Sequence, residues 1–465
     1  MRSLLILSTA ALAFALAQTT LIPALGELAR ALDTDANGVA WTLTGYLLSA
    51  AVCTPIFGRL GDMFGKRRML VISLAVFAGG SVVSALAPNL ELLVAGRFLQ
   101  GAGGGIFPLC FAIIRDEFPR EKVSSSIGLI SATFGIGGGA GLILGGVLVD
   151  QLSYHWIFWL GAVMAAAAAV LSQLLIPESP HLSPGRIDVR GAAVLAVGLA
   201  LPLLAISRAN DWGWGSATTL GMLAAGVVIL AGWVVLQKNT PQPLADVALL
   251  ARPPVLMTNL ATLLVGFGMF GSFILIPQLA ESPEATGYGF GLDATGAGLL
   301  MLPGALVMLV AGPFAGVLVQ RFGGKVPLAA GALISAAGLA LMGIAHGSQG
   351  EMIVWNLVVS IGIGLAFASM PNLIFDAVPQ SETGEATGFN TLVRSVGASL
   401  GSQVSAAILT GSVVAGAVLP SDDAYTTAFL VSAAVAVAAA LLALMIPRVG
   451  GPAHAVAARP AYAES

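Results

Sequence analysis

Charged residues are scarce in this sequence. Only 9% of the 465 residues are aspartate, glutamate, lysine or arginine, whereas 57% are hydrophobic. A chain of this length with so few charged side chains cannot cover its surface with solvated groups, so most of that surface must face lipid. The composition therefore excludes a water-soluble globular protein and predicts a polytopic membrane protein.

Cysteine and histidine are also rare. The two cysteines, Cys53 and Cys110, lie inside apolar segments, and the four histidines are too scattered to have the spacing of metal ligands. The sequence also lacks the G-x4-G-K-S/T loop that holds nucleotide phosphates. These absences argue against a disulfide framework, a metal site and ATP as the energy source. We expect no cofactor and no nucleic-acid partner.

Apolar segments, in contrast, recur along the whole chain. Each is about twenty residues long, which is the length that a helix needs to cross a bilayer. There are fourteen, at approximately 4–26, 39–60, 69–88, 91–114, 124–149, 155–176, 188–208, 216–237, 255–279, 295–320, 326–346, 351–375, 384–413 and 424–446. The sequence thus predicts an all-α integral membrane protein with 14 transmembrane helices.

Basic residues are concentrated on one side of this predicted topology. With the N-terminus in the cytoplasm, only Arg30 and Arg208 face the exterior, and Arg97 and Arg394 fall within helices. All other lysines and arginines face the cytoplasm, as the positive-inside rule expects for an even number of spans. We therefore predict a multi-pass protein of the cell membrane with both termini in the cytoplasm.

The first and last parts of the chain resemble each other. Residues 316–325 match 58–67 at five positions, and 379–401 match 119–141 at four positions with nearly the same offset. Such duplication is common in transporters whose halves rock about a central site. We predict a six-helix bundle at 1–177, a linker with two extra helices at 178–253, a second six-helix bundle at 254–447 and a disordered cytoplasmic tail at 448–465.

A charged turn separates the second and third predicted helices and reads G-R-L-G-D-M-F-G-K-R-R from Gly58 to Arg68. Its glycines let two helix ends approach closely, and its charges can pair or face anionic lipid. The turn resembles the G-x-L-x-D-x-x-G-R-R/K signature of the major facilitator superfamily of transporters. The resemblance implies a major facilitator fold with a charge network that latches the cytoplasmic side shut, formed by Gly58, Asp62, Gly65, Lys66, Arg67, Arg115 and Asp116.

The arrangement of six, two and six predicted helices resembles the fourteen-helix drug:proton antiporter branch of this superfamily, and two further segments resemble motifs of the family. The fourth predicted helix contains G-R-F-L-Q-G around Arg97, similar to the G-R-x-x-Q-G segment of the family. The fifth resembles the antiporter signature G-x8-G-x3-G-P-x2-G-G. Its small residues let a neighbouring helix pack closely, and they are Gly128, Gly137, Gly141, Gly145 and Gly146.

The chain departs from this branch at two positions. Leu142 replaces the proline of the fifth-helix signature, and Phe14 stands where relatives commonly place an aspartate in the first helix. A protonatable carboxylate lets a transporter bind a proton and a cation alternately. Its absence argues against strongly cationic substrates and leaves open which residue carries the proton.

Two arginines lie inside predicted helices, where a charge costs about 2.5–3.5 kcal/mol on insertion scales. Arg97 either couples substrate and proton, as the resemblance implies, or snorkels to the headgroups. Arg394 either meets water or an anionic or carbonyl-rich substrate, or forms a salt bridge to an acid such as Asp62 or Asp376.

Other candidates for coupling and binding are polar or adaptable side chains in apolar surroundings. Gln18 and Glu27 are coupling candidates, and the alternative for Glu27 is a solvated acid beside Arg30. The candidates for the wall of a central cavity, where methionine and aromatic side chains suit varied hydrophobic ligands, are Asn259, Gln278, Trp355, Met370 and Asn372.

These features predict a secondary transporter and not an enzyme. The expected function is proton-coupled efflux of hydrophobic or antibiotic-like small molecules by alternating access, carried out by a monomer among membrane lipids. One alternative is a metabolite importer or uniporter of the same fold. Another is an integral membrane enzyme or sensor, which would need a catalytic constellation or a soluble output domain, and the sequence contains neither.

Overall fold

The computed structural model describes residues 2–34, 36–183, 188–411 and 419–447. The predicted tail, 448–465, and residues 184–187 of the predicted linker lie outside these described residues. The described chain forms three short 3₁₀ turns and the α-helices α1 (Arg2–Thr19), α2 (Leu25–Ala31), α3 (Ala36–Phe64), α4 (Lys66–Ala85), α5 (Leu90–Ala102), α6 (Ile106–Glu117), α7 (Arg120–Gln151), α8 (His155–Leu175), α9 (Val189–Trp212), α10 (Ala217–Asn239), α11 (Val247–Leu250), α12 (Pro253–Glu281), α13 (Ala294–Phe322), α14 (Lys325–Ile344), α15 (Gln349–Ala377), α16 (Thr383–Gly411) and α17 (Asp422–Met445).

Among the described residues, 14 segments are long and apolar enough to cross a membrane, which confirms the predicted fold class. α5 and α6 together form one of these segments, whereas α2 and α11 are too short to cross. Large apolar side chains are exposed on the helices, for example Val163, Val310 and Ile344. Lipid tails can cover such side chains, so this surface is that of a multi-pass membrane protein.

The helices pack in two groups with the same internal pattern. In the first half, α1–α8, α1 packs against α7 and α8, and α5 packs against α3 and α4. In the second half, α12–α17, α12 packs likewise against α16 and α17, and α15 packs against α13 and α14. A duplicated six-helix unit would give this pattern. The halves meet along two helix crossings, α7 with α13 and α3 with α16.

The extra helices α9 and α10 pack against each other beside one of these crossings. α9 contacts α3 of the first half and α16 of the second. Trp233 of α10 stacks on Phe389 of α16 with ring centroids 5.7 Å apart, and its indole N–H donates to the carbonyl oxygen of Gly191 in α9. The extra pair therefore contacts both halves at the crossing of α3 and α16.

The charged turn is shorter than the sequence predicted. α3 continues to Phe64 and α4 begins at Lys66, so only Gly65 separates them. Gly65 has a φ of 105°, which residues with a Cβ rarely adopt, and Gly323 with a φ of 74° follows α13 at the equivalent place. Residues 66–68 thus form the first turn of α4 and not a loop. We call this end of the bundle, which contains Arg59, Lys66, Arg67 and Arg68, the basic end.

The predicted fourth helix is interrupted in its middle. Gly103–Gly105 forms a 3₁₀ turn between α5 and α6, because consecutive glycines favour an α-helix only weakly. Ser73 donates its hydroxyl to the carbonyl oxygen of Gly103 (3.0 Å), and Thr54 donates to that of Gly104 (3.0 Å). These bonds satisfy backbone groups that lipid could not satisfy.

The first helix is also shorter than predicted, since α1 ends at Thr19 and turns connect it to α2. Pro23 lies in this connection, and a proline disfavours helical backbone at the residue before it. The segment 4–26 is therefore not one helix.

Candidate functional site

Asp62, near the end of α3, joins the two halves at the basic end. Its side chain is fully buried, and its carboxylate oxygens accept hydrogen bonds from the backbone N–H groups of Gly384 (3.0 Å) and Glu385 (2.7 Å). These N–H groups belong to the first turn of α16, where a helix has unsatisfied donors and a positive partial charge. Asp62 of the first half therefore caps a helix of the second half.

Arg115, near the end of α6, makes the complementary contact with α15. Its guanidinium donates to the carbonyl oxygens of Phe375 (2.6 Å) and Val378 (3.0 Å) and to the hydroxyl of Thr383. The end of a helix has unsatisfied carbonyl oxygens and a negative partial charge, which a cation stabilises. Asp62 and Arg115 thus hold the two helix ends on either side of the α15–α16 connection, each with the charge that suits it.

Lys66 and Asp116 form a buried ion pair beside these contacts. Lys66 Nζ lies 2.7 Å from Asp116 Oδ2 and 3.9 Å from Asp62 Oδ1. Asp116 also accepts hydrogen bonds from the Ser179 hydroxyl and from the side-chain amide of Gln380 (3.2 Å), which belongs to the second half. The ion pair is therefore part of the same network between the halves.

The contacts of Arg67 differ from those predicted for a latch between the halves. Within the described residues they lie in the first half, where Arg67 Nε is 3.5 Å from Glu178 Oε2 and Nη1 donates to the carbonyl oxygen of Ile176 (3.2 Å). The Glu178 carboxylate also accepts the backbone N–H groups of Arg67 and Arg68 at the start of α4. Successive helical residues point about 100° apart, so Lys66 faces the second half and Arg67 does not.

Glu385 is a third buried carboxylate at the basic end, and it was not among the site residues predicted from the sequence. It accepts the backbone N–H of Asp246 (2.6 Å), which precedes α11, and lies 3.4 Å from the guanidinium of Arg59 in α3. Its position in the first turn of the predicted helix 384–413, where an acid is favourable, is a signal that could have identified it. Glu385 connects α3, α16 and the segment between α10 and α11.

Glycines allow the halves to approach closely at both crossings. A Cβ at Gly58 of α3 would overlap the carbonyl oxygen of Gly384 in α16. A Cβ at Gly128 of α7 would overlap the carbonyl oxygen of Gly312 in α13. Any larger residue at these positions would push the two helix backbones apart.

The other packing glycines predicted on α7 face two different helices. Gly146 faces Thr295 of α13. Thr19 of α1 donates its hydroxyl to the carbonyl oxygen of Gly137. Gly137 and Gly141 face α1 closely, and Gly145 faces Thr20, the residue that follows α1. α7 is therefore in close contact with both halves.

Arg97 of α5 is buried among neutral acceptors. Its Nε donates to the carbonyl oxygen of Thr42 (2.9 Å), Nη2 to that of Ala17 (3.2 Å) and Nη1 to Gln100 Oε1 (2.7 Å). The guanidinium also lies over the Tyr46 ring, 4.2 Å from its centre. Since the side chain is only 1% exposed, the alternative that it snorkels to the headgroups is wrong. Arg97 instead connects α1, α3 and α5.

Arg394 of α16 is buried in different surroundings. Its guanidinium carbon lies 4.8 Å from the ring centre of Phe134 in the first half and 4.6 Å from that of Phe367 in the second. Among the described residues it has neither a hydrogen bond nor an ion pair, so the predicted alternative of a salt bridge to Asp62 or Asp376 is wrong. Its partners are aromatic faces, which attract a cation.

Aromatic rings connect the surroundings of the two arginines. Neighbouring ring centroids are 4.9–6.0 Å apart along the series Tyr46, Phe14, Phe107, Phe134 and Phe367. Phe14, which replaces the acid expected in the first helix, is thus part of an aromatic wall that extends through both halves.

The asparagines predicted to line a cavity both have partners. Asn259 of α12 is buried, and its carbonyl oxygen accepts a hydrogen bond from Asn390 of α16 (2.9 Å). Asn372 of α15 accepts one from the hydroxyl of Ser124 in α7 (2.8 Å). Asn259 thus joins two helices of the second half, whereas Asn372 joins the halves near the basic end.

The remaining predicted site residues are dispersed. Met370 is buried in the main core, and Gln18 is half-buried near the end of α1. Trp355 donates its indole N–H to the carbonyl oxygen that follows α14 (2.9 Å), Gln278 is exposed, and Glu27 lies half-buried in the first turn of α2. The structure therefore does not bring Trp355 and Gln278 to the aromatic wall.

The chain matches the sequence model of one protein family over most of its length. The model is described as Major Facilitator Superfamily and matches residues 7–402 and 258–461. The chain also resembles the solved structure of the major facilitator superfamily proton:xylose symporter XylE, with a TM-score of 0.66 over 96% of this chain and 95% of that one. The sequence identity is 15%, so this likeness concerns the fold.

Two curated relatives are similar in sequence. The chain is 29% identical over 370 residues to the Tetracenomycin C resistance and export protein of Streptomyces glaucescens, covering 79% of this chain and 68% of the relative. It is 26% identical over 376 residues to the Multidrug transporter protein MdtP of Bacillus subtilis (strain 168), covering 80% and 68%. The chain also matches two uncharacterized transporters of Mycobacterium tuberculosis, and the match covers 56% of the length of each of them.

Proposed function

This chain belongs to the Major Facilitator Superfamily, and on that premise we propose that it exports hydrophobic or antibiotic-like small molecules in exchange for protons. The names of two relatives, which contain export and multidrug transport, support efflux over import of a metabolite. Membership of a transporter family also argues against an enzyme or a sensor.

The contact between the halves at the basic end is the observation that carries this proposal. Asp62, Lys66, Arg115 and Asp116 of the first half hold the α15–α16 connection of the second half through hydrogen bonds. Such polar contacts between helix ends can break and form again without unpacking either half. We assign them as the latch that closes the basic end while the substrate site is accessible from the opposite end.

Protons are the proposed energy source. Protonation of Asp62 would remove the negative charge that favours its place at the start of α16, so a proton could release the latch. Arg97 is the proposed coupling residue, because it connects three helices of the first half and transmits their displacement. Gln18 lies on one of these helices, α1.

The proposed topology places the basic end in the cytoplasm, with both termini on that side, because basic residues are enriched in cytoplasmic loops. The proposed units are six-helix bundles at 1–177 and 254–447, with the extra helix pair between them. A single chain contributes both sides of every crossing described above, which supports a monomer as the transporting unit.

Transport by everted membrane vesicles tests the proposal. The probes are tetracenomycin C, the compound in the name of the Streptomyces relative, and a panel of neutral, anionic and cationic lipophilic dyes. Respiration acidifies the vesicle interior, so a proton-coupled exporter should accumulate at least one probe there. A protonophore should abolish the accumulation.

Vesicles from cells that carry the empty vector are the matched control. Entry of a probe that is faster than in these control vesicles but is unchanged after the proton gradient has collapsed would indicate a uniporter and contradict the proposal. Failure of every probe to accumulate, in vesicles whose protein content is verified by immunoblot, would also contradict it.

A further inference from the structure

Buried charges are unevenly distributed along the described part of the bundle. The carboxylates with buried side chains among the described residues, Asp62, Asp116 and Glu385, all lie at the basic end, each beside a basic residue. Arg394 lies deeper, about 17 Å along α16 from its first residue at 1.5 Å per residue. Among the described residues, the interior around Arg97 and Arg394 is therefore positive and contains no buried carboxylate to neutralise it.

The two deep arginines differ in how their donors are used. All three nitrogens of Arg97 donate to protein oxygens, whereas the described residues offer Arg394 no acceptor. The side chain of Arg394 is 5% exposed, so its donors are buried but not completely enclosed. A ligand with acceptor oxygens would satisfy these donors.

The surroundings of Arg394 select for aromatic ligands. Phe134 and Phe367 lie on the two sides of the boundary between the halves, with ring centroids 5.8 Å apart. Phe270 and Phe273 of α12 continue this surface, since Phe134 and Phe270 are 6.5 Å apart and Phe270 and Phe273 are 5.7 Å apart. Flat rings pack favourably on such a surface in offset or edge-to-face geometry.

We propose that the substrates of this exporter are aromatic organic anions. The anionic group, a carboxylate, phenolate or sulfonate, binds the guanidinium of Arg394, and the aromatic body packs against Phe134 and Phe367. A permanent cation is disfavoured, because like charges repel strongly in an interior of low dielectric constant. The assignment rests on the proposed export function and names the substrate class of that site.

Binding of a matched ligand series to the purified full-length protein tests the assignment. Tritiated 1-naphthoate is the probe, and unlabelled 1-naphthoate, 1-naphthylmethanol and 1-naphthylmethylamine compete with it as the anionic, neutral and cationic forms of one ring. The anion should compete at about tenfold lower concentration than the alcohol, which corresponds to one charge-assisted hydrogen bond. The amine should compete least.

Substitutions at Arg394 and Phe367 distinguish the contribution of the guanidinium charge to binding from that of the aromatic ring. Arg394→Gln should weaken naphthoate binding about tenfold or more, whereas Arg394→Lys should retain part of the affinity. Phe367→Leu keeps the cation but should reduce the preference for naphthoate over cyclohexanecarboxylate. Arg321→Gln removes an exposed arginine at the basic end and should leave binding unchanged.

Thermal unfolding provides an independent readout of the role of Arg394. Removal of a buried charge that has no hydrogen-bond or ion-pair partner among the described residues should leave the melting temperature unchanged or raise it. A lower melting temperature for Arg394→Gln would indicate a structural role and overturn the assignment. Equal competition by the amine and the acid, or full affinity in Arg394→Gln, would overturn it too.

The vesicle assay distinguishes this assignment from the export function itself. If neutral or cationic dyes accumulate in a gradient-dependent manner and Arg394→Gln has no effect, the anion assignment fails while the exporter stands. If the wild-type protein accumulates no probe of any charge, the export function fails.

Discussion

The hydrogen bonds of a single carboxylate, that of Asp62, depend on how the two halves are arranged. Its two oxygens accept hydrogen bonds from backbone N–H groups at the start of α16, which have no partner within that helix. Asp62 itself belongs to the first half, whereas α16 belongs to the second. The hydrogen bonds therefore exist only while the basic ends are together. Glu178 makes the same type of contact with the start of α4, but both partners lie in the first half.

This pair of carboxylates provides a matched test at the residue scale. Asp62→Asn removes the charge and one strong acceptor from the start of α16, so we expect the transport rate to fall about tenfold. Glu178→Gln makes the same chemical change within one half and should keep most of the wild-type rate. The measurement is the initial rate of probe accumulation in everted vesicles, normalised to protein content. Similar rates in both variants would contradict the latch role of Asp62.

At the scale of the helices, glycine determines how closely the halves approach. Gly58 lies against the backbone of α16, whereas Gly79 of α4 has open space where its Cβ would be. The same substitution at the two positions therefore has opposite expected effects.

Gly58→Ala should destabilise the packed basic end by about 1–3 kcal/mol, as overpacking of a close contact does. Gly79→Ala should be neutral or slightly stabilising, because alanine favours a helix over glycine by up to about 1 kcal/mol. The measurement is the melting temperature of the detergent-solubilised protein, together with its transport rate after reconstitution. A Gly58→Ala protein with wild-type stability and transport would show that the crossing of α3 and α16 tolerates a Cβ.

The sequence predicts the helices better than it predicts their contacts. Apart from the first span, whose helix α1 ends at Thr19, hydropathy locates the spans to within a few residues, because about twenty apolar residues are required whatever the neighbours are. The interruption at Gly103–Gly105 was not predicted, since hydroxyls from other helices stabilise it. Arg67 was assigned to the wrong contact for a similar reason: a motif gives residue types, whereas the direction of a side chain depends on where α4 begins.

For the site residues as well, the sequence predicts the residue types better than it predicts their contacts. Asp62 and Arg115 were assigned to the latch by the resemblance to the family, but most of their hydrogen-bond partners are backbone groups at helix ends, which a sequence pattern does not reveal. Arg394 was identified as a deep charge, whereas Phe134 and Phe367 come from other helices and have no common spacing with it. Asn372 was expected to line a cavity, but Ser124 of α7 lies against it and makes it part of the boundary between the halves.

At the scale of the whole molecule, the two crossings between the halves are related but unequal. Gln320 in α13 occupies the place of Asp62 in α3, and its amide donates to the carbonyl oxygen of Glu121 at the start of α7. A neutral amide there makes a weaker contact than a buried carboxylate on a helix N-terminus. The α3–α16 crossing therefore has the charged latch, and the α7–α13 crossing is held by close backbone packing.

Alternating access requires that the basic ends separate during each cycle, and a cross-link between them should stop transport. The hydroxyl of Ser124 and the side chain of Asn372 touch across the boundary at 2.8 Å, so Ser124→Cys and Asn372→Cys place two thiols close together. In a background without Cys53 and Cys110, a short bis(methanethiosulfonate) reagent, which joins the two thiols through disulfide bonds, should abolish transport, and a reductant that cleaves these disulfides should restore it.

The control pair lies within the second half, where no separation is required. His346 Nε2 and Asp422 Oδ1 are 2.7 Å apart, and they connect the end of α14 to the start of α17. His346→Cys with Asp422→Cys should cross-link equally well, as shown by altered mobility after cleavage between the two positions, yet transport should continue. Because the chemistry is the same, only movement of one half relative to the other predicts different outcomes for the two pairs. Continued transport by the cross-linked Ser124→Cys/Asn372→Cys protein would mean that the basic ends stay together throughout the cycle, and the latch could then not gate the path to the cytoplasm.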